Sequence, residues 1–269
     1  SVLAGVALSV GFGCGPIVSG LLGQFAESAT FVPFAVTVAL SAASVLVGVV
    51  FARTPAPTKR CEAVSAETGD DGRSVTAALR TALPMALWVF SCATVAMVTM
   101  AERMQYRFDG PWIPSVAAGV TLTAGITIQM AARRGDWGPW SGVTGALTAA
   151  AGFGVVAIAG ATPSLAVFLL VAGMLGVAYG LCLRQGLIDI ETLTPTRLRG
   201  ALTGVFYAIT YLGFGLPVLL VAIRPWTGIT APMLVLTALA VVSAIIRGSQ
   251  IRRQSPTRAQ GEPVPVSGS

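Results

Sequence analysis

Residues 164–183 read SLAVFLLVAGMLGVAYGLCL, a run of 20 positions without a charged side chain. At a rise of about 1.5 Å per residue, a helix of this length crosses the roughly 30 Å hydrocarbon core of a bilayer. A strand is excluded because the run is too long and because apolar and polar residues do not alternate along it. The run therefore predicts a transmembrane helix.

Seven further apolar runs occur in the chain, separated by charged residues, glycines and prolines that are typical of turns. The predicted helices are 2–22, 31–52, 81–101, 112–132, 139–161, 164–183, 201–223 and 229–246. Only 10% of the 269 residues are charged, whereas about 25% are charged in a soluble domain. We therefore predict an all-α, polytopic membrane protein with about eight transmembrane helices.

The basic residues are divided unequally between the two sides of the predicted bundle. One side carries Arg53, Lys59, Arg60, Arg73, Arg80, Arg133, Arg134, Arg184, Arg197, Arg199, Arg247, Arg252, Arg253 and Arg258, and the other carries Arg103, Arg107 and Arg224. Because positively charged loops stay in the cytoplasm, we expect the C-terminus to be cytoplasmic. The excess of arginine over lysine is typical of proteins from GC-rich bacterial genomes. We therefore expect the protein to lie in a bacterial plasma membrane. The charges form no single patch, so nucleic acid is not an expected partner.

The longest connection, residues 53–80, is polar and lacks aromatic residues, which indicates a flexible cytoplasmic linker. It separates two predicted helices in residues 1–52 from six in residues 81–250. Residues 251–269 are predicted to form a disordered tail. Because Ser1 already lies inside an apolar run, we expect helices to precede it. If four do so, two bundles of six helices flank the linker.

The first predicted helix contains the sequence GFGCGPIVSG at residues 11–20. Gly11, Gly15 and Ser19 recur every four residues and share one face, which lets another helix backbone approach closely. Pro16 removes a backbone hydrogen bond and bends the helix. The face is either a simple packing surface or part of a bent, tightly packed gating helix.

This pattern resembles the antiporter motif in the fifth helix of the major facilitator superfamily. Ser19 replaces the first of the motif's two final glycines, and Gly20 matches the second. Residues 195–217 are similar to the family's loop between helices 10 and 11 and to its eleventh helix. The matching residues there are Arg199, Gly200, Gly213, Gly215 and Pro217. Arg133 and Arg134 resemble a degenerate form of the basic loop between helices 8 and 9.

The resemblance implies that the chain corresponds to helices 5–12 of a twelve-helix bundle. It implies a secondary active transporter that exports a small molecule in exchange for protons by alternating access, monomeric when full length. A symporter that takes up a metabolite is the alternative within transport. A non-catalytic membrane scaffold and an inactive transporter remnant remain open as other classes.

In this correspondence, residues 81–101 are helix 7 and residues 164–183 are helix 10. These are two of the four helices that line the family's central cavity. The candidates for substrate binding or coupling are Trp88, Glu102, Tyr179, Arg184, Gln185 and Asp189. Core packing is favoured for the two aromatic residues, and interfacial anchoring for Glu102 and Arg184. Residues 172, 176, 180 and 184 form a small-residue groove that ends in a cation. Asp189 and Glu191 are expected to be solvated, with ion pairs to Arg197 or Arg199 as the alternative.

Enzymatic activity is not expected. The chain contains no histidine, which excludes zinc chemistry of the HExxH type and Ser-His proteolysis. Asp70 and Asp71 form a lone acidic pair in the linker, and no phosphate-binding loop is present. No cofactor or metal is therefore expected, and the predicted partners are a small-molecule substrate, protons and the lipid bilayer.

Overall fold

The computed structural model describes residues 31–53, 74–108 and 112–254, together with Gly15, Val18 and Leu22. Those three single residues are helical, and the rest of the first predicted helix lies outside the described residues. Most of the predicted linker and of the predicted tail also lies outside them. The described residues contain helices and short turns but no strand.

Nine α-helices are described, and shorter π- and 3₁₀-helical segments join some of them. They are α1 Phe31–Arg53, α2 Val75–Thr94, α3 Ala101–Gln105, α4 Trp112–Arg134, α5 Trp140–Ile158, α6 Leu165–Leu193, α7 Arg199–Tyr211, α8 Leu216–Thr227 and α9 Thr230–Gln254. A π-helical segment, Val95–Met100, joins α2 to α3. The 3₁₀ segments Thr196–Leu198 and Leu212–Gly215 precede and follow α7.

Six helical segments in the described part of the chain are long and apolar enough to cross a membrane. They are Val75–Gln105, Trp112–Arg134, Trp140–Ile158, Leu165–Leu193, Thr196–Thr227 and Thr230–Arg253. Helix α1 adds a shorter apolar stretch, Phe34–Val50. The prediction of an all-α, multi-pass membrane protein is confirmed at this level.

Several helices are longer than the sequence predicted. Helix α2 begins at Val75 rather than 81, α6 ends at Leu193 rather than 183, and α9 continues to Gln254. The prediction ended each helix at the first charged residue, but a helical backbone continues past charges that are paired or that reach water at the interface. The linker is therefore shorter than predicted, and residues 251–254 belong to a helix rather than to the tail.

Helix α6 lies at the centre of the bundle. It packs against α2, α4 and α5, while α2 also packs against α7, against the segment Leu212–Gly215 and against α9. Helix α5 packs along α9. In contrast, α1 contributes no residue to the buried core of the described chain, and side chains such as Phe34, Val38 and Leu46 are exposed. The packed unit therefore extends from α2 to α9.

The small-residue face of α6 is filled by α4. A methyl group added at Gly176 would overlap the carbonyl oxygen of Thr121, and one added at Gly180 would overlap that of Gly125. Such close backbone contact is how membrane helices pack when glycines lie at their interface. The predicted groove is therefore a helix–helix contact and does not face an open cavity.

Candidate functional site

A buried ion pair lies between α6 and α9. Arg247 Nη2 donates a hydrogen bond of 2.7 Å to Asp189 Oδ1, and the two side chains are only 3% and 7% exposed. Burying two charges costs several kcal/mol per ion, so a pair is tolerated only where its geometry is good and further hydrogen bonds support it. Ionisable residues inside membrane helices are therefore functional candidates.

Further hydrogen bonds connect the ion pair to α5. Gln185 Nε2 donates to Asp189 Oδ1 at 2.8 Å, and Ser141 Oγ donates to Gln185 Oε1 at 2.8 Å. Arg184 Nη1 donates to the same serine oxygen at a longer 3.4 Å. These four residues and Arg247 form what we call the polar network, which connects α5, α6 and α9.

Gln250 extends the connection to α2. Its side-chain Nε2 donates to the backbone carbonyl of Arg80 at 2.9 Å, and its Oε1 accepts a long hydrogen bond of 3.5 Å from Arg247. Four helices that are distant in sequence are thus held together at one end of the bundle. We call this the basic end, because Arg133, Arg134, Arg197 and Arg199 also lie there.

The polar network has unused hydrogen-bonding capacity. Among the described residues, Asp189 Oδ2 and Arg247 Nε are buried without a hydrogen-bond partner. Buried polar atoms in folded proteins normally have partners, so two such atoms in one ion pair require an explanation. The free carboxylate oxygen is the atom at which a water, a proton or a polar ligand can bind without first breaking the contact with Arg247.

The sequence prediction for Asp189 was wrong about its environment. A solvated acidic end was expected, with Arg197 or Arg199 as alternative partners, whereas Asp189 is buried and paired with Arg247. The error follows from the early predicted end of α6, which left Asp189 in a loop. Arg199 instead donates through Nε to the carbonyl of Thr194 at 3.4 Å, just beyond the C-terminus of α6.

Arg247 and Ser141 belong to the polar network but were not predicted from the sequence. A usable signal was present for Arg247, because it falls on the same helical face as the buried residues Ala240, Ala244 and Ile251. A charge on the buried face of a membrane helix indicates a partner. No comparable signal marks Ser141, whose role depends on its closeness to Gln185.

The aromatic candidates lie in the core. Trp88 is buried with its ring centroid 5.8 Å from that of Phe153, and Tyr179 is fully buried with its ring 6.3 Å from Phe90. Their placement corresponds to the favoured core-packing interpretation. Arg184 is half-buried. Arg133 and Arg134, which were predicted in a loop, are exposed residues at the end of α4, and Gly200 is exposed at the start of α7.

Gly213 forms a close contact between the Leu212–Gly215 segment and α2. A methyl group at Gly213 would overlap the backbone nitrogen of Ser91, and its carbonyl accepts a 3.0 Å hydrogen bond from the Thr94 hydroxyl. Two residues away, Gly215 has open space where a Cβ would stand. Pro217, which follows at the start of α8, is buried. Of the two glycines in the motif, Gly213 lies at a tight contact and Gly215 does not.

Substituting these two glycines by alanine should therefore have different effects. We expect Gly213→Ala to lower the free energy of unfolding by about 1–3 kcal/mol, because the added methyl group forces the segment away from α2. Gly215→Ala is the matched control and should leave stability nearly unchanged. Unfolding of both variants in mixed detergent micelles measures the difference, and equal stability would contradict the close contact.

Arg103 binds the C-terminal end of α5 at the opposite end of the bundle. Its Nη1 donates to the carbonyl of Val156 at 3.0 Å and to that of Gly160 at 3.1 Å, and the residue is only 8% exposed. Val156 lies in the last turn of α5, where carbonyls lack partners within the helix, and Gly160 lies just beyond it. A cation is favourable at this negative end of the helix dipole. Arg103 thus connects α3 to α5.

Replacing Arg103 by methionine should destabilise the chain by about 1.5–3 kcal/mol, which is typical for hydrogen bonds to a charged group. Methionine preserves most of the apolar stem, so that the effect reports on the lost hydrogen bonds. Arg107→Met provides the control, because Arg107 is exposed four residues further on. Detergent-induced unfolding checks both variants. A similar loss in the two would show that general surface charge is responsible.

No family model, curated protein or solved structure matches this chain. The first-helix residues of the predicted antiporter motif, Gly11, Pro16, Ser19 and Gly20, lie outside the described residues, and Gly15 is an exposed helical residue. Within the described part, no group of three or more Cys, Asp or Glu residues is arranged to hold a metal ion.

Proposed function

We propose that this chain is part of a secondary active transporter of the major facilitator type, which exports a small molecule in exchange for protons. The observation that carries the proposal is the packing pattern of the six membrane-length segments. They divide into two triplets in chain order. The first consists of α2–α3, α4 and α5, and the second of α6, α7–α8 and α9.

The main contacts between the segments correspond to one another when the two triplets are exchanged. The contact of α2 with α7 then becomes the contact of α6 with α4, and the contact of α5 with α6 becomes that of α9 with α2. The contact of α2 with α6 and the contact of α5 with α9 each stay the same in this exchange. Because each triplet crosses the membrane three times, the second begins on the opposite side. Inverted repeats of three helices are the building units of major facilitator bundles.

The polar network supports a role for the basic end as a gate. Alternating access requires the helices at one end to hold together in one state and to separate in the other. The network connects α5, α6 and α9 through Ser141, Gln185, Asp189 and Arg247 at the same end. Protonation of Asp189 would remove its charge and weaken the contact with Arg247. The proposed coupling step is therefore proton arrival at the free Oδ2 atom.

A transport assay in cells that lack their own efflux pumps tests the proposal. We expect cells producing the native protein to accumulate less of a neutral lipophilic dye, Nile red, or of ethidium than cells producing Asp189→Asn. A proton ionophore should raise accumulation in the first cells toward the level of the second. Asp136→Asn is the matched control, because Asp136 is exposed at the same end of the bundle.

The alternatives predict different outcomes of this assay. An uptake symporter would give higher accumulation in cells producing the native protein than in cells producing Asp189→Asn, and the ionophore would lower it. A scaffold or an inactive transporter would give the same accumulation with and without the native chain for both dyes, and would leave Asp189→Asn without effect on transport. Either result would contradict proton-coupled efflux.

A further inference from the structure

A cleft lies at the end of the bundle opposite the basic end. It is bordered by α3, by α8 and by the start of α9. Its polar rim contains Glu102, Arg103 and Arg224, and its apolar wall is formed by residues such as Leu220, Val221 and Met233. One end of the cleft thus suits a charged group and the other suits a hydrocarbon chain.

The rim of the cleft carries an excess of positive charge. Arg103 and Arg224 repel each other, and a single carboxylate, Glu102, offsets them. The contact between Arg224 Nη1 and Glu102 Oε1 is loose at 3.8 Å, and the side chains are 46% and 45% exposed. Helix α9 also begins here, and no acidic residue lies in its first turn to offset the positive end of its dipole. A second anion between the guanidinium groups would relieve the repulsion.

The cleft also lies at the depth of the lipid headgroups. Arg224 is three residues from the end of a membrane-length segment, and the neighbouring side chains of Trp226 and Tyr106 are strongly exposed. Exposed tryptophan and tyrosine at helix ends mark the boundary between bilayer and water. From Arg224, the α8 side of the cleft continues through Leu220 to Pro217, about two helical turns or roughly 10 Å toward the middle of the bilayer.

We propose that this cleft binds an anionic phospholipid, with its phosphodiester at Arg224 and one acyl chain along the apolar wall of α8 and α9. A phosphodiester provides the missing negative charge, and an arginine guanidinium binds phosphate oxygens with two parallel hydrogen bonds. Glu102 competes with the lipid for Arg224. This site is independent of the transport activity proposed above.

Lipid binding can be measured directly by native mass spectrometry of the delipidated full chain in detergent. Dioleoylphosphatidylglycerol is the probe, and dioleoylphosphatidylcholine tests whether net negative charge is needed. Glycerol 3-phosphate tests whether a free phosphate is sufficient without an acyl chain. We expect the phosphatidylglycerol to bind at least about tenfold more tightly than the other two, as expected for one additional charge-assisted contact.

Two variants with opposite expected effects assign the site. Arg224→Gln should weaken phosphatidylglycerol binding about tenfold, whereas Glu102→Gln should strengthen it, because the competing carboxylate is removed. Arg107→Gln is the control, since this exposed arginine does not line the cleft. Equal binding of phosphatidylcholine, or equal binding of glycerol 3-phosphate, would overturn the proposal. Unchanged binding in both Arg224→Gln and Glu102→Gln would also overturn it, even if either variant is less stable.

Discussion

Replacing Arg247 by methionine is expected to destabilise the chain by about 3–5 kcal/mol, the cost of breaking a buried ion pair from one side. The Asp189 carboxylate would remain buried at 7% exposure without its cation, and its hydrogen bond from Gln185 would not compensate. The destabilisation arises from the stranded charge rather than from lost packing, because methionine fills much of the arginine volume.

A double variant separates these two causes. Asp189→Leu combined with Arg247→Met removes both charges, and similar replacements of buried ion pairs by apolar residues are often neutral or stabilising. We therefore expect the double variant to be more stable than Arg247→Met alone. A double variant that is as unstable as the single one would show that packing around Arg247, and not the charge, determines the loss.

The buried thiols provide the measurement. Cys92 and Cys182 are fully buried and free, so a thiol-reactive dye labels them only when the bundle opens. Replacing Cys14 and Cys61 by serine in the parent chain removes the remaining two thiols of the sequence. The labelling of each variant is then followed during a titration with denaturing detergent.

Replacing Gly176 by alanine is the second substitution with a large expected effect. The added methyl group would overlap the carbonyl oxygen of Thr121, which belongs to the rigid backbone of α4 and cannot rotate away. The two helices must therefore separate, and we expect a loss at the upper end of about 1–3 kcal/mol or more. Since α4 and α6 are a main contact of the bundle, the loss should reduce the amount of folded protein in the membrane.

Gly173→Ala is a matched control on the same helix. A Cβ at Gly173 has no heavy atom within 4 Å among the described residues, although the residue is only three positions from Gly176. Since alanine has a better helix propensity than glycine, this variant should be as stable as the parent or slightly more stable. The two variants are compared by the same thiol-labelling titration. Similar stability of both would contradict the tight packing of α4 on α6.

The helices could be predicted from the sequence because each apolar run is itself the physical requirement for crossing a bilayer. Residues 164–183 needed no knowledge of their neighbours. The ends of the helices could not be predicted as well, since they depend on where charges find partners. The backbone of α6 continues past Arg184 because Ser141 accepts a hydrogen bond from Arg184 and Arg247 donates one to Asp189. Those partners lie on other helices.

The site illustrates the same difference. Asp189 could be selected as a candidate from its type and position, but its partner lies 58 residues away, and their contact depends on how α9 packs beside α5 and α6. Likewise, the spacing of Gly176 and Gly180 predicts a face on which something can pack closely. That α4 fills this face follows only from the packing of the whole bundle.

The π-helical segment Val95–Met100 sets the direction in which the side chains of α3 point. A π-turn holds one residue more than an α-turn, so the residues after it are rotated by about 100° relative to a regular helix. Removing one residue there, for example the exposed Val98, would restore the regular winding. Arg103 and Glu102 would then keep their present directions, whereas regular winding of the undeleted chain would turn Arg103 away from the end of α5 and Glu102 away from Arg224. The π-turn thus takes up one extra residue and keeps two charged side chains directed at their partners.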